Sequence, residues 1–139
     1  MARIRWTGLS ETKADLLVLG ETMNAEARHL VQGGTNAAAT AIRTEYGKHR
    51  RSGTLQERVR VIVKEESAVR THYEVRNTAP HADIIEHGTE ARHTDLGADR
   101  GSMPAGNIFI PAMMRARRTL NRELAAMMQR HGLTVTGAF

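Results

Sequence analysis

Apolar and small residues recur at steps of three and four along the first third of the chain: Leu16, Leu19, Met23, Ala27, Leu30, Gly34, Ala38 and Ala41. That spacing gathers them on one stripe of a helix. Ser10 offers a side-chain oxygen to the helix start and Glu11 a favourable charge in its first turn. The pattern therefore predicts a long helix from there to Tyr46. Gly20 and the Gly33-Gly34 pair interrupt it and are expected to kink or split it. The small residues from Gly33 to Ala41 also permit close packing against a sheet or a neighbouring subunit.

Gly47-Lys48-His49-Arg50-Arg51-Ser52-Gly53 breaks the helical period and reads as an exposed basic connection. The period then becomes two. From Leu55 to Lys64, Val59, Val61 and Val63 alternate with Arg58, Arg60, Ile62 and Lys64, which predicts a strand with one buried face. After the polar Glu65-Glu66-Ser67, the residues Val69, Thr71, Tyr73 and Val75 alternate with Arg70, His72, Glu74 and Arg76. The two runs predict an antiparallel hairpin whose outer face is rich in arginine. Pro80 restricts Ala79 to extended geometry, so the second strand is expected to end near Asn77.

Ala82 to His87 is too short to classify by period and reads as one helical turn or a short strand, with Gly88 as its stop in left-handed backbone space. Thr89 to Gly106 is polar and glycine-bearing, with Leu96 and Met103 as its only sizeable apolar side chains, and is expected to be a flexible loop. Ile108-Phe109-Ile110 restores an apolar run. Pro111 suits the first turn of a helix, and Met113, Ala116, Leu120, Leu124 and Met127 form its stripe. Gly132 ends this helix and leaves a short tail, 132–139. These elements predict one α+β domain with a core over about 9–128: a small, mainly antiparallel sheet packed by a long N-terminal helix and a C-terminal helix.

At 139 residues the chain suits a single domain, and burial of roughly two-thirds of its unfolded surface suffices for a core. One Trp, two Tyr and two Phe leave that core to aliphatic residues and seven Met. The absence of cysteine excludes disulfides, a thiol nucleophile and Cys-ligated zinc, and fits maturation in the cytoplasm. No apolar run approaches the ~20 residues of a membrane span, and the N-terminus lacks a signal peptide's apolar stretch. The chain is accordingly expected to be soluble and unprocessed, without a membrane partner. Twenty Lys and Arg against fifteen Asp and Glu give a net charge of +5, which suits DNA, a membrane surface or an acidic protein neighbour.

Candidate chemistry is sparse. His81, Asp83, Glu86, His87, His93, Asp95 and Asp99 fall within nineteen positions. They lack His-Glu-x-x-His spacing and straddle a glycine-bearing loop, so they read as a solvated polar region rather than a metal centre. There is no Gly-x-Ser-x-Gly elbow, no Walker-type phosphate loop and no dinucleotide fingerprint. No catalytic residue, cofactor or metal is assigned.

Three segments carry a resemblance. Ser52-Gly53-Thr54-Leu55 precedes the hairpin; His81-Ala82-Asp83-Ile84-Ile85-Glu86-His87-Gly88-Thr89 follows it; Phe109-Ile110-Pro111-Ala112 opens the last helix. In order and spacing they resemble the neck and tail-completion proteins of long-tailed double-stranded-DNA phages, over about Leu9 to Met128. His81 stands where a tyrosine is usual, Ser52 where a threonine is usual, and the proline expected upstream is replaced by His49-Arg50-Arg51. The resemblance implies a virion structural protein, not an enzyme, assembled in the host cytoplasm. It implies a homo-oligomeric ring at the head–tail junction, hexameric in preference to dodecameric. Its partners would be the head connector or head-closure protein and the tail terminator or tail tube proteins, with genomic DNA passing without sequence specificity. Ser52, Gly53, Leu55, His81, Ala82, Ile84, Ile85, Glu86, Gly88, Thr89, Leu96, Met103, Phe109 and Pro111 become interface candidates. Lys48, Arg50 and Arg51 become DNA-facing or protein-contact candidates. On the residues alone, Glu86 reads as an exposed carboxylate or as the partner of an arginine in the same or an adjacent subunit. The basic connection and hairpin also suit a small nucleic-acid-binding module, which stands as the alternative.

Overall fold

A computed structural model describes residues 9–48, 53–67 and 70–136. Six elements follow in order: α1 (Leu9–Lys48), α2 (Thr54–Glu57), β1 (Val59–Glu66), β2 (Thr71–Asn77), α3 (Ala82–His87) and α4 (Phe109–Arg130). The architecture is α+β: α1 packs against a two-stranded antiparallel sheet, and α4 packs on α1 rather than squarely on the sheet as expected from the sequence.

α1 is one helix of 40 residues, roughly 60 Å long at about 1.5 Å per residue. Neither Gly20 nor Gly33-Gly34 splits it. The reason at Gly34 is packing: a Cβ there would meet Leu120 Cδ1 of α4 at 3.1 Å, so the missing side chain lets the two helices close up and outweighs the propensity cost of about 1 kcal/mol. The expected stripe holds from Leu19 to Ala38. Beyond that the buried line runs through Ala38, Ala39, Ile42 and Tyr46, while Ala41 is exposed. Steps of four carry the line 38–42–46 round to the sheet, where a step of three to Ala41 would miss it.

The core gathers Ala39, Ile42, Tyr46, Val59, Ile108 and Ala112, with Leu55, Val61, Val75, Ile85, Phe109 and Met113 packed against it. The expected strand from Leu55 is corrected here. Thr54–Glu57 is a helical turn entered through Gly53 at φ 81°, closed by Glu57 N–H to the Gly53 carbonyl at 3.0 Å. Leu55 and Val59 are four residues apart, and the turn lets both reach the core. The hairpin itself forms as expected and its second strand ends at Asn77, with Val61 opposite Val75 and Val63 opposite Tyr73. Its register is irregular between Val63 and Glu65. The single buried face holds at Val59 and fades outward, leaving Val63 55% exposed. Arg60 lies opposite Arg76, an unfavourable pairing offset by Glu74, which bonds Arg76 at 2.7 Å and Lys64 at 3.3 Å.

α4 ends as its glycine suggests. Gly132 N–H bonds the Gln129 carbonyl and Leu133 N–H the Met128 carbonyl, each at 3.0 Å, with Gly132 at φ 79°, the pattern of a Schellman cap. At this end Glu26 of α1 receives Arg130 on one oxygen and His131 Nε2 at 2.8 Å on the other. The His131 and Arg130 hydrogen bonds hold the Glu26 carboxyl below its ordinary pKa.

A group whose pKa falls on folding stabilises the fold above its unfolded value and loses that contribution as pH drops through the folded one. Glu26→Gln should therefore be less stable than the natural chain at neutral pH. The gap should hold down to about pH 5 and close below the ordinary glutamate range near 4.3. Denaturant titrations of both proteins across pH check this; a gap that persists unchanged in acid would contradict it.

Candidate functional site

The two strongest motif segments meet at one carboxylate. After β2, Asn77 folds the chain back: its Oδ1 accepts Ala79 N–H at 2.9 Å and its Nδ2 donates to the Leu55 carbonyl at 3.1 Å. α3 then lies on the body through Ala82, 7% exposed, and Ile85. Ile84 and Ile85 part company, since Ile84 is 42% exposed. This geometry aims Glu86 at the start of α4, where Ile108 supplies no side-chain cap of its own.

Glu86 does the capping from another element. Its Oε2 accepts Ile108 N–H at 2.9 Å, and both oxygens lie 3.0 Å from Phe109 N. Oε1 also accepts the Tyr46 hydroxyl of α1 at 2.6 Å. Pro111 has no N–H to leave unpaired, so the start of α4 has three orphan N–H groups, and two of them are satisfied by a negative charge at the favoured end of the helix dipole. Burial, and then the Glu86 carboxylate, push the Tyr46 hydroxyl well above the usual tyrosine range, so it remains a donor. Glu86 is not free, and among the described residues its partners are Tyr46, Ile108 and Phe109 rather than an arginine. Its acceptor capacity is committed to holding α1, α3 and α4 together.

The next two motif residues close the same junction. Gly88 has φ 74° and ψ −169°, a conformation open essentially to glycine alone and extended in ψ rather than left-handed helical. A Cβ there would lie 2.4 Å from the Met103 carbonyl oxygen and 2.7 Å from Ala105 N. Thr89 and Met103 form a bridge: Thr89 N–H bonds the Met103 carbonyl at 2.8 Å, and Met103 N–H bonds Thr89 Oγ1 at 3.0 Å. Gly106 N–H bonds the Ile85 carbonyl at 2.8 Å and Asn107 N–H the Glu86 carbonyl at 3.3 Å.

Between these straps, Thr89–Met103 folds back on itself as a narrow arm. Arg92 N–H bonds the Gly101 carbonyl at 3.1 Å and Thr94 N–H the Ala98 carbonyl at 2.9 Å. Gly97, at φ 77°, completes a tight turn with its N–H on the Thr94 carbonyl at 2.8 Å. Every residue from Glu90 to Ser102 except Thr94 is exposed, and Leu96 at the tip is 97% exposed.

The structure thus brings together Ala82, Ile85, Glu86, Gly88, Thr89, Met103 and Phe109, with Pro111 exposed in the first turn of α4. Leu55 reaches the same core from α2. Gly53 lies at the start of α2, His81 is exposed at the start of α3, and Leu96 stands at the arm tip. Ser52, Arg50 and Arg51 lie outside the described residues. Lys48 bonds Glu45 at 2.9 Å. Among the described residues, no three of the His, Asp and Glu side chains gather as a cation site, and no helix is long and apolar enough to cross a membrane.

Two features escaped the sequence reading. Tyr46 is the hydroxyl partner of Glu86, forty residues away; its only signal is its place at the end of the α1 stripe. A groove of about 420 Å³ runs along the seam of α1 and α4, lined by small and aliphatic residues together with His29, Thr119 and Glu123, where the small residues from Gly33 to Ala41 suggest only close packing. Comparison of the chain with family models, curated proteins and solved structures finds no match.

The junction predicts a non-additive pair. Glu86→Ala should cost about 2–3 kcal/mol by stranding charge-assisted donors, and Tyr46→Phe about 1 kcal/mol. The double variant should cost less than the sum of the two. Denaturant unfolding of the four proteins checks this, and strict additivity would show that the two groups do not share a bond.

Proposed function

We propose that this chain is a virion structural protein that forms a homo-oligomeric ring at the head–tail junction of a long-tailed phage. The ring joins the tail to the head connector and lets DNA pass; a hexamer is favoured over a dodecamer. The observation that carries this reading is the Glu86 junction. It binds the His81–Thr89 segment to the Phe109–Ala112 helix start, and between them presents an exposed arm. The motif residues that suggested the family are therefore one structural unit, whose arm is suited to contact a neighbour. Closed rings are built from heterologous contacts, in which two different patches of each subunit meet.

One observation favours a second reading, a nucleic-acid-binding module. Arg115, Arg117, Arg118 and Arg122 of α4, and Arg58 and Arg60 beside the hairpin, are exposed and make no ion pair among the described residues. In a ring the same charge suits passing DNA without sequence recognition.

Electron microscopy of the purified protein, alone and with isolated tails, tests the reading. Closed particles with cyclic symmetry, sixfold before twelvefold, seated at the tail end are expected. A protein that remains monomeric, leaves tails bare and binds DNA sequence-selectively at high salt would replace the ring with the second reading.

A further inference from the structure

Cations elsewhere in the fold meet carboxylates: Lys48, Lys64, Arg70, Arg76 and Arg130 each reach one. Three arginines of α4 do not. Arg115, Arg118 and Arg122 are exposed and make no ion pair among the described residues. Steps of three and four set them in one stripe, within roughly 60° of arc and about 10 Å long. The stripe faces away from the line of Ala112, Leu120 and Met127 that packs α4 on the body.

An arginine on a helix is relieved by an acidic residue three or four places away. None of those places around Arg115, Arg118 or Arg122 holds Asp or Glu. Two steps hold another arginine instead: Arg115 faces Arg118, and Arg118 faces Arg122. Like charges at this spacing weaken a helix. Glu123, the one acidic residue of α4, lies on the groove side. Repulsion that the chain itself leaves unrelieved marks a functional face, and its complement is an anion from outside.

The surroundings of the stripe select the anion. A protein interface has an apolar centre, and a helix lying on a membrane has an apolar face. The apolar face of α4 is already packed on α1, and the exposed Ile110 and Met114 stand about a quarter turn from the stripe. Single-stranded nucleic acid stacks on aromatic side chains, and the only one in α4, Phe109, packs against the core. Arginine forks bind phosphate in bidentate fashion. Duplex DNA carries a phosphate about every 3.4 Å along each strand, so roughly three lie alongside a stripe of this length.

We propose that Arg115, Arg118 and Arg122 form a contact for the phosphate backbone of duplex DNA, independent of base sequence. This rests on DNA passing the protein, which both readings above share, and it names the face turned to that DNA. In a ring, the outer face of α4 lines the channel.

Titration of the full chain with two duplexes of unrelated sequence, from about 50 to 200 mM salt, tests the contact. Both should bind alike, and affinity should fall about fortyfold or more over that range, since each phosphate adds about 0.9 to the salt slope. Arg115→Gln/Arg118→Gln/Arg122→Gln should reduce the slope by about 2.7. This variant should stay folded, because glutamine suits an exposed helix nearly as well as arginine; circular dichroism checks that. Arg58→Gln/Arg60→Gln/Arg117→Gln removes the same charge away from the stripe and should leave the slope nearly unchanged. Equal losses in the two variants would show attraction by net charge alone and overturn the contact. So would selection between the duplexes, or binding to phosphatidylserine-rich vesicles without binding to DNA. Electron microscopy separates this result from the ring. A stripe variant that forms rings and binds DNA like the natural chain overturns the contact and leaves the ring standing. A natural chain that forms no ring, yet loses DNA when the stripe is neutralised, overturns the ring and keeps the contact.

Discussion

One carboxylate organises the fold. Glu86 caps α4 at Ile108 and Phe109 and holds the Tyr46 hydroxyl at the end of α1. Around it the core closes through Tyr46, Ile108 and Ala112, with Ile85 and Phe109 against them. A helix of 22 residues needs its first N–H groups satisfied where they are half-buried. Here the donor and acceptor come from different elements, so capping α4 and fixing its position on the body are one event. The Glu26 contact with Arg130 and His131 fastens the other end of α4 to α1.

The junction also explains why the arm leaves the body where it does. Gly88 permits the chain to turn beneath Met103 and Pro104, and Gly106 returns it beside Ile85. The arm between is held by its own backbone bonds and by its base, with almost no burial of its own. A rigid base with an unburied tip is the combination by which a small domain offers a contact to a neighbour without distorting its core. The arm base depends on small residues where larger ones would not fit: a Cβ at Gly88 would lie 2.4 Å from the Met103 carbonyl oxygen and one at Gly106 2.7 Å from the Ile85 carbonyl oxygen.

Much of the fold was legible in period and punctuation. The α1 and α4 stripes, the hairpin, the end of β2 at Asn77 and the stop at Gly132 follow from local pattern, because the core selects those patterns directly. α2 was hidden because the alternation of the hairpin extends formally back to Leu55, while Gly53 and the need to bring Leu55 inward favour a turn. The continuity of α1 through Gly33-Gly34 was hidden because it depends on Leu120, more than eighty residues away. The site was legible as a set of motif residues and illegible as a mechanism. Nothing local to Glu86 announces that its partners are the backbone at Ile108 and Phe109 and the hydroxyl of Tyr46. Long-range polar bonds leave no period in a sequence.

The proposed ring places a neighbouring copy over the arm that the Glu86 junction carries. Amide hydrogen exchange on the free and assembled protein tests it most directly. The Ile108 and Phe109 amides, bound to Glu86, should exchange slowly in both states. Amides from Ala91 to Gly101 should exchange fast in the free chain and be protected on assembly. Fast exchange at Ile108 and Phe109, or an arm equally unprotected in the assembled particle, would contradict the account.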